Sequence, residues 1–123
     1  MNVHVKRVYE APDPGDGQRI LIDRLWPRGL SKAKAKIDLW LKAIAPSTEL
    51  RRWYGHEPDR WPEFKKRYFA ELDAHPEAVD ALLECTAAGK VTLLFGSREE
   101  RLNNAHALKQ YLEKRGARPP AGH

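Results

Sequence analysis

The stretch I-L-I-D-R-L-W-P-R-G-L, Ile20–Leu30, decides how the chain is read. Ile20, Leu21 and Ile22 form an uninterrupted apolar run, the pattern of a strand covered on both faces. Within a few residues the character changes: Asp23, Arg24, Trp26, Pro27, Arg28 and Gly29 place one acid, two guanidiniums and an indole on a turn. Pro27 fixes its own φ and pushes Trp26 out of the helical region, and Gly29 lets the chain reverse. Two arginines on a stiff loop at a strand end suit a carboxylate or phosphate, because each presents a planar fork of donors. The plainer alternative is that Asp23 pairs with one arginine and Trp26 plugs the core.

Outward from this stretch, Val3 to Tyr9 is rich in β-branched residues and reads as a first strand. Ala11–Gln18 is dense in Pro, Asp and Gly and reads as a loop short enough to join neighbouring strands. The second strand is expected over Arg19–Leu25. Ser31 can cap a short helical turn through Ala35. Ile37–Ala45 fits both a strand and a helix period; a short strand is expected, because Ala45-Pro46-Ser47 breaks it. Ser47 and Gly55 bound a helix over Thr48–Tyr54 that offers Leu50, Trp53 and Tyr54 to the interior. Asp59 is expected to cap the next helix, in which Trp61, Phe64, Tyr68 and Leu72 follow at helical spacing as core residues. Pro76 to Gly89 bounds a third helix, with Val79, Leu82, Leu83 and Thr86 on one face. Val91–Phe95 is the clearest buried strand, expected at the centre of the sheet with the second strand beside it. A last helix over Glu99–Lys114 carries Leu102, Ala105, Leu108 and Leu112.

Strands alternating with helical stretches predict an α/β fold: a small three-layer sandwich with a short, largely parallel sheet flanked by helices. One domain is expected over residues 1–115, with a flexible tail over 116–123. With 123 residues, 41% hydrophobic and 32% charged, the composition is that of a soluble globular protein. No apolar run reaches membrane-span length, and the start of the sequence shows no signal-peptide core. The single cysteine, Cys85, fits a reducing compartment, so a cytoplasmic location is expected. The net charge of +5 favours anionic partners without choosing among a nucleotide, a phosphorylated metabolite and a nucleic acid.

Ligands of open α/β sheets bind outside the carboxyl ends of the strands. Three polar clusters fall there: Asp23–Arg28, Pro46-Ser47 and Ser97-Arg98. Arg24, Arg28 and Arg98 are candidate anion binders; the alternative is internal pairing with Asp23 or Glu57. Ser47 and Ser97 offer hydroxyls, or act simply as helix caps. His56 and Asp23 are the candidate acid–base groups, with His56 as a loop hydrogen-bonder the alternative. Asn104 is a candidate ligand reader. Cys85, among Leu82, Leu83 and Thr86, reads as packing. The five histidines show no metal-ligand spacing, and no P-loop or dinucleotide fingerprint implies a cofactor. The Lys32/Lys34/Lys36 comb and Lys65-Lys66-Arg67 read as solvated faces unaccompanied by a nucleic-acid signature.

The runs D-R-L-W-P-R-G, L-W-L-K-A-I-A-P-S-T-E-L-R-R-W-Y-G-H and D-R-W-P-E-F-K-K-R-Y-F-A-E-L, with the late V-T-L-L-F-G-S-R, resemble the YeaO-like proteins of a bacterial family, domain of unknown function 488. The resemblance runs from about Val5 to about Tyr111. It implies a small bacterial α/β protein and carries no established reaction. The recurring polar positions it implies are Asp23, Arg24, Trp26, Pro27, Arg28, Gly29, Pro46, Ser47, Trp53 and His56. The final helix departs from the family pattern: Leu102 stands where a histidine is expected, before Asn103 and Asn104, and His106 lies about a turn away. That puts in doubt any role needing an imidazole on that helix. The favoured function is binding of a small anionic, phosphate- or nucleotide-like ligand at an Arg/Ser/Trp cleft. A nucleic-acid-binding module is the alternative. A structural or partner-binding domain with its arginines locked in salt bridges is the third reading.

Overall fold

The computed structural model describes residues 2–117 and shows a four-stranded, all-parallel sheet. Its strands are β1 (Val3–Arg7), β2 (Gln18–Leu21), β3 (Leu39–Trp40) and β4 (Val91–Phe95), in the order β1-β4-β2-β3. Five helices accompany them: α1 (Lys32–Ala35), α2 (Thr48–Tyr54), α3 (Trp61–Asp73), α4 (Pro76–Ala88) and α5 (Asn104–Ala117). β4 and β2 lie in the middle, as the apolar runs Leu93–Phe95 and Ile20–Ile22 predict, with Arg19 and Thr92 buried beside them. All five residues of β4 are buried. The tail expected over 116–123 falls mainly outside the described residues; α5 takes in 116 and 117.

The two sheet faces are unequally covered. Ile20, Ile22, Val91, Leu93 and Phe95 meet α3, α4 and α5 through Phe64, Tyr68, Leu72, Val79, Leu82, Leu108 and Leu112. Phe64, Tyr68 and Leu72 are the buried stripe of α3, while Trp61 at its start is half-buried. The opposite face holds a smaller cluster, Val8, Leu21 and Leu94, closed by Trp26, Leu30, Ile37 and Trp40. Its third layer is thus a loop and the single turn of α1.

Residues 8–17 do not join neighbouring strands, because β4 lies between β1 and β2. They cross the thinly covered face and are clamped there by Asp16. Its carboxylate takes Arg19 Nη1 from β2 (2.5 Å) and Lys6 Nζ from β1 (3.2 Å), and its carbonyl accepts the Thr92 hydroxyl of β4 (2.6 Å). Burial pushes the Asp16 carboxyl up, but the Asp13 N–H, Lys6 and Arg19 outweigh it and leave its pKa below the ordinary value. Gly17 completes the crossover at φ 66; a Cβ there would sit 2.4 Å from the Lys90 carbonyl oxygen.

Several element limits differ from the sequence expectation. β2 ends at Leu21 rather than Leu25. Ile22 still donates to Leu94 O, and then Asp23 turns away to bond Gly96. The strand expected over Ile37–Ala45 is only Leu39–Trp40, followed by a 3-10 turn at Lys42–Ile44. Asp59 does not cap α3; it lies inside a 3-10 turn, Pro58–Arg60, that leads into the helix. The last helix starts at Asn104, not Glu99, because side chains capture the preceding N–H groups. Ser97 Oγ takes Glu99 N and Glu99 Oε1 takes Arg101 N and Leu102 N; the helix then begins where Asn103 Oδ1 caps it by accepting from His106 N.

Candidate functional site

At the carboxyl ends of β2 and β4 the chain leaves a cleft of about 370 Å³. The loop after β2 supplies Asp23–Arg28, the turn before α2 Ala45 and Pro46, α2 itself Arg51, Arg52 and Tyr54, and the segment after β4 Gly96, Ser97 and Leu102–Asn104. The local reason is the opening motif. Trp26 Nε1 donates to Leu30 O (2.6 Å), closing the turn around Pro27, and its ring packs edge-on against Trp40 at 5.4 Å. Trp40 Nε1 in turn donates to Asp23 O (2.7 Å). The two indoles therefore tie down the loop backbone that carries Asp23, Arg24 and Arg28.

Asp23 is anchored from the opposite strand end. Its Oδ2 accepts Gly96 N–H at 2.8 Å and its Oδ1 accepts Asn104 Nδ2 at 3.1 Å. A Cβ on Gly96 would come within 3.2 Å of that Oδ2, so the close approach suits glycine. Burial raises the Asp23 pKa above the ordinary aspartate range, against the opposing pull of Asn104, Gly96 N–H and the nearby Arg51 charge. Asp23 makes no ion pair with an arginine among the described residues. Among the described residues the ion pairs are Lys6–Asp16, Arg19–Asp16 and Arg67–Glu63. Arg28, Arg51 and Arg52 have no side-chain hydrogen bond there, and Arg24 has only long contacts to Ala45 O and Pro46 O (3.5 and 3.4 Å). Arg24 Nε is buried with no acceptor. Four arginines and one carboxylate thus line the open cleft.

The walls are aromatic and apolar. Phe64 reaches the floor, Tyr54 stacks on it at 4.5 Å, and the Tyr54 hydroxyl donates to Leu102 O (2.8 Å), tying α2 to the turn before α5. Burial, then the Glu99 charge, raises the Tyr54 pKa. Tyr9 and Leu25 stand exposed at the rim. His56 lies at the mouth with φ 58, just after Gly55 at φ 54 closes α2. Left-handed backbone is uncommon for a non-glycine residue, and it turns the imidazole back beside Tyr54, 6.0 Å between ring centres.

The cleft brings together Asp23, Arg24, Trp26, Arg28, His56, Ser97 and Asn104 from the sequence-derived candidates. It leaves out three. Ser47 caps α2 through Leu50 N and donates its hydroxyl to Glu71 (2.6 Å), beside a separate cavity of about 220 Å³. Trp53 is sandwiched outside the cleft by Arg67 (4.2 Å) and Arg60 (5.4 Å). Arg98 is exposed and does not line the cleft. Sequence reasoning passed over Arg51, Arg52 and Tyr54, having assigned α2 only an interior face. A usable signal was present: Arg51 has no acid three or four residues away on its helix, so its charge is left for another partner. Among the described residues no three carboxylate, histidine or cysteine groups come together as a metal site, and no helix is long and apolar enough to cross a membrane.

A family model described as "Inactive DUF488-N3 subclade" matches residues 2–121. The Mycobacterium tuberculosis protein Rv3073c is 45% identical over 114 residues, covering 92% of this chain and 95% of its own. Escherichia coli YeaO is 39% identical over 112 residues, 91% of this chain and 97% of its own. A Ruegeria protein named GTP cyclohydrolase FolE2 is 28% identical over 102 residues, 81% of this chain but 25% of its own. No solved structure matches. With nearly its whole length aligned to the family model and to YeaO, the chain belongs to the YeaO-like family, domain of unknown function 488.

Proposed function

We propose that this protein binds a small anionic ligand, phosphate- or nucleotide-like, in the cleft at the strand ends. The observation that carries the reading is the charge balance of that cleft: Arg24, Arg28, Arg51 and Arg52 line it with Asp23, and Asp23 is engaged by Gly96 and Asn104 instead. Guanidiniums without a carboxylate partner, beside a buried apolar floor, gain most from an incoming anion. Locked internal salt bridges would have left no such excess. The cleft's volume is in the range of small-molecule sites.

The reading is of binding without turnover. Leu102, at the position where the resemblance leads one to expect a histidine, lines the cleft with an aliphatic side chain. The description of the matching subclade as inactive agrees with that.

Titrating phosphate, AMP and a short oligonucleotide against wild type, Arg28→Lys and Lys34→Ala tests the proposal. Arg28→Lys keeps the charge and loses the fork, so AMP should bind about tenfold more weakly, the loss of one charge-assisted hydrogen bond. Lys34, on α1 and outside the cleft, should matter little. Loss of affinity in Lys34→Ala with none in Arg28→Lys would reject the cleft and put the nucleic-acid alternative in its place.

A further inference from the structure

The anion-binding reading gives no role to the carboxylate of Asp23. Resting on that reading, we infer that the ligand is a phosphorylated polyhydroxyl compound, a sugar phosphate or the sugar-phosphate part of a nucleotide. Its neighbouring hydroxyls donate to Asp23 and Asn104 while its phosphate meets the arginines.

The argument starts from acceptor bookkeeping. Each Asp23 oxygen accepts one hydrogen bond, from Gly96 N–H or Asn104 Nδ2, and a carboxylate oxygen has room for two. One lone pair therefore remains on each oxygen. The Asn104 amide is oriented by the same contact: a carboxylate accepts, so Nδ2 faces it and Oδ1 faces elsewhere. Asn104 Oδ1 receives no hydrogen bond among the described residues and is not sealed from solvent. Asn103, by contrast, is fully used, since its Nδ2 donates to Glu99 O and its Oδ1 accepts His106 N. Asp23 and Asn104 thus present adjacent acceptors, held rigidly because one anchors the other, at the joint end of β2 and the start of α5.

Adjacent acceptors want donors. An ammonium donor is disfavoured where four guanidiniums line the same space, because like charges repel. A metal ion would need further anionic ligands, and no such group of three exists among the described residues. Hydroxyls donate without bringing charge, and a carboxylate that accepts a sugar hydroxyl is a recurrent device at strand ends of α/β sheets. Desolvation of Asp23 adds to this: a partly buried carboxylate gains more from each donor than an exposed one. The phosphate and the hydroxyls then address two different parts of one cleft, which a bare anion cannot do.

The test measures binding by calorimetry for inorganic phosphate, ribose 5-phosphate, AMP and 2′,3′-dideoxyadenosine monophosphate, against wild type, Asp23→Asn and Asn104→Ala. Wild type should prefer ribose 5-phosphate over phosphate, or AMP over its dideoxy form, by about tenfold or more, as expected for hydroxyl donors to a charged acceptor. The arm that shows it tells a free sugar phosphate from a nucleotide. In Asp23→Asn and Asn104→Ala the preference should shrink to within about threefold, with phosphate binding retained. Asn104→Ala decides alone if circular dichroism shows that Asp23→Asn has lost its fold. Equal affinities within both pairs in wild type, or a preference that survives both substitutions, overturns the inference and leaves anion binding standing. If phosphate and all three organic phosphates fail to bind, the anion-binding reading falls with it.

Discussion

Replacing Asp16 by Ala should destabilise the protein by about 3 kcal/mol, the lower end of the cost of breaking a buried ion pair from one side. The structure sets that figure. The Asp16 and Arg19 side chains are only 11% and 5% exposed, so the guanidinium left behind cannot turn to water. Arg19 does keep the carbonyls of Ala35 and Lys36 as acceptors, and Lys6 keeps Ala11 O, which holds the penalty at the lower end. The Asp13 N–H loses its acceptor as well. Urea unfolding and thermal melts would measure the change, and for a domain of this size about 3 kcal/mol lowers Tm by roughly 10 °C. Adding Arg19→Met to Asp16→Ala removes the stranded charge, so the double variant should be less destabilised than the single one. The pH dependence has a definite sign. Because the folded-state pKa of Asp16 is depressed, its stabilisation is present above the unfolded aspartate value of about 3.9 and is lost as pH falls through the lower folded value. A loss below about 1 kcal/mol for Asp16→Ala, or a double variant worse than the single, would refute the clamp.

Two further outcomes are expected. Phe64→Ala removes a ring 2% exposed and stacked on Tyr54 and Trp61, and should cost about 3–5 kcal/mol; a loss below about 1 kcal/mol in the same assay would mean that α3 does not carry the core. Asp23 titrates in the opposite sense to Asp16: its raised pKa means that stability is lost as pH rises from about 3.9 through the folded value, so the stability of Asp23→Asn relative to wild type should grow across that interval. Parallel stability–pH curves for the two proteins would contradict the burial of that carboxylate.

Local patterning alone determined much of this molecule. Apolar runs placed β2 and β4 at the centre of the sheet, since a strand covered on both faces is mostly apolar. Ser47 and Gly55 bounded α2 because capping is a property of a few neighbouring residues. The end of the strand at the motif Asp23–Gly29 was legible because Pro27 and Gly29 interrupt regular pairing. Tertiary structure decided the rest. Which strands are neighbours depended on a crossover pinned by Asp16, whose partners Lys6 and Thr92 lie 10 and 76 residues away. The start of α5 depended on Ser97 and Glu99 capturing the preceding backbone N–H groups and on Asn103 capping the helix, which helical spacing does not reveal. The cleft was assembled the same way. Asn104 reached Asp23 across 81 residues, Arg51 and Arg52 arrived from a helix read as interior-facing, and Ser47 was drawn away by Glu71. Residue type tells what a side chain can bind; only the packed chain decides which partner comes within reach first.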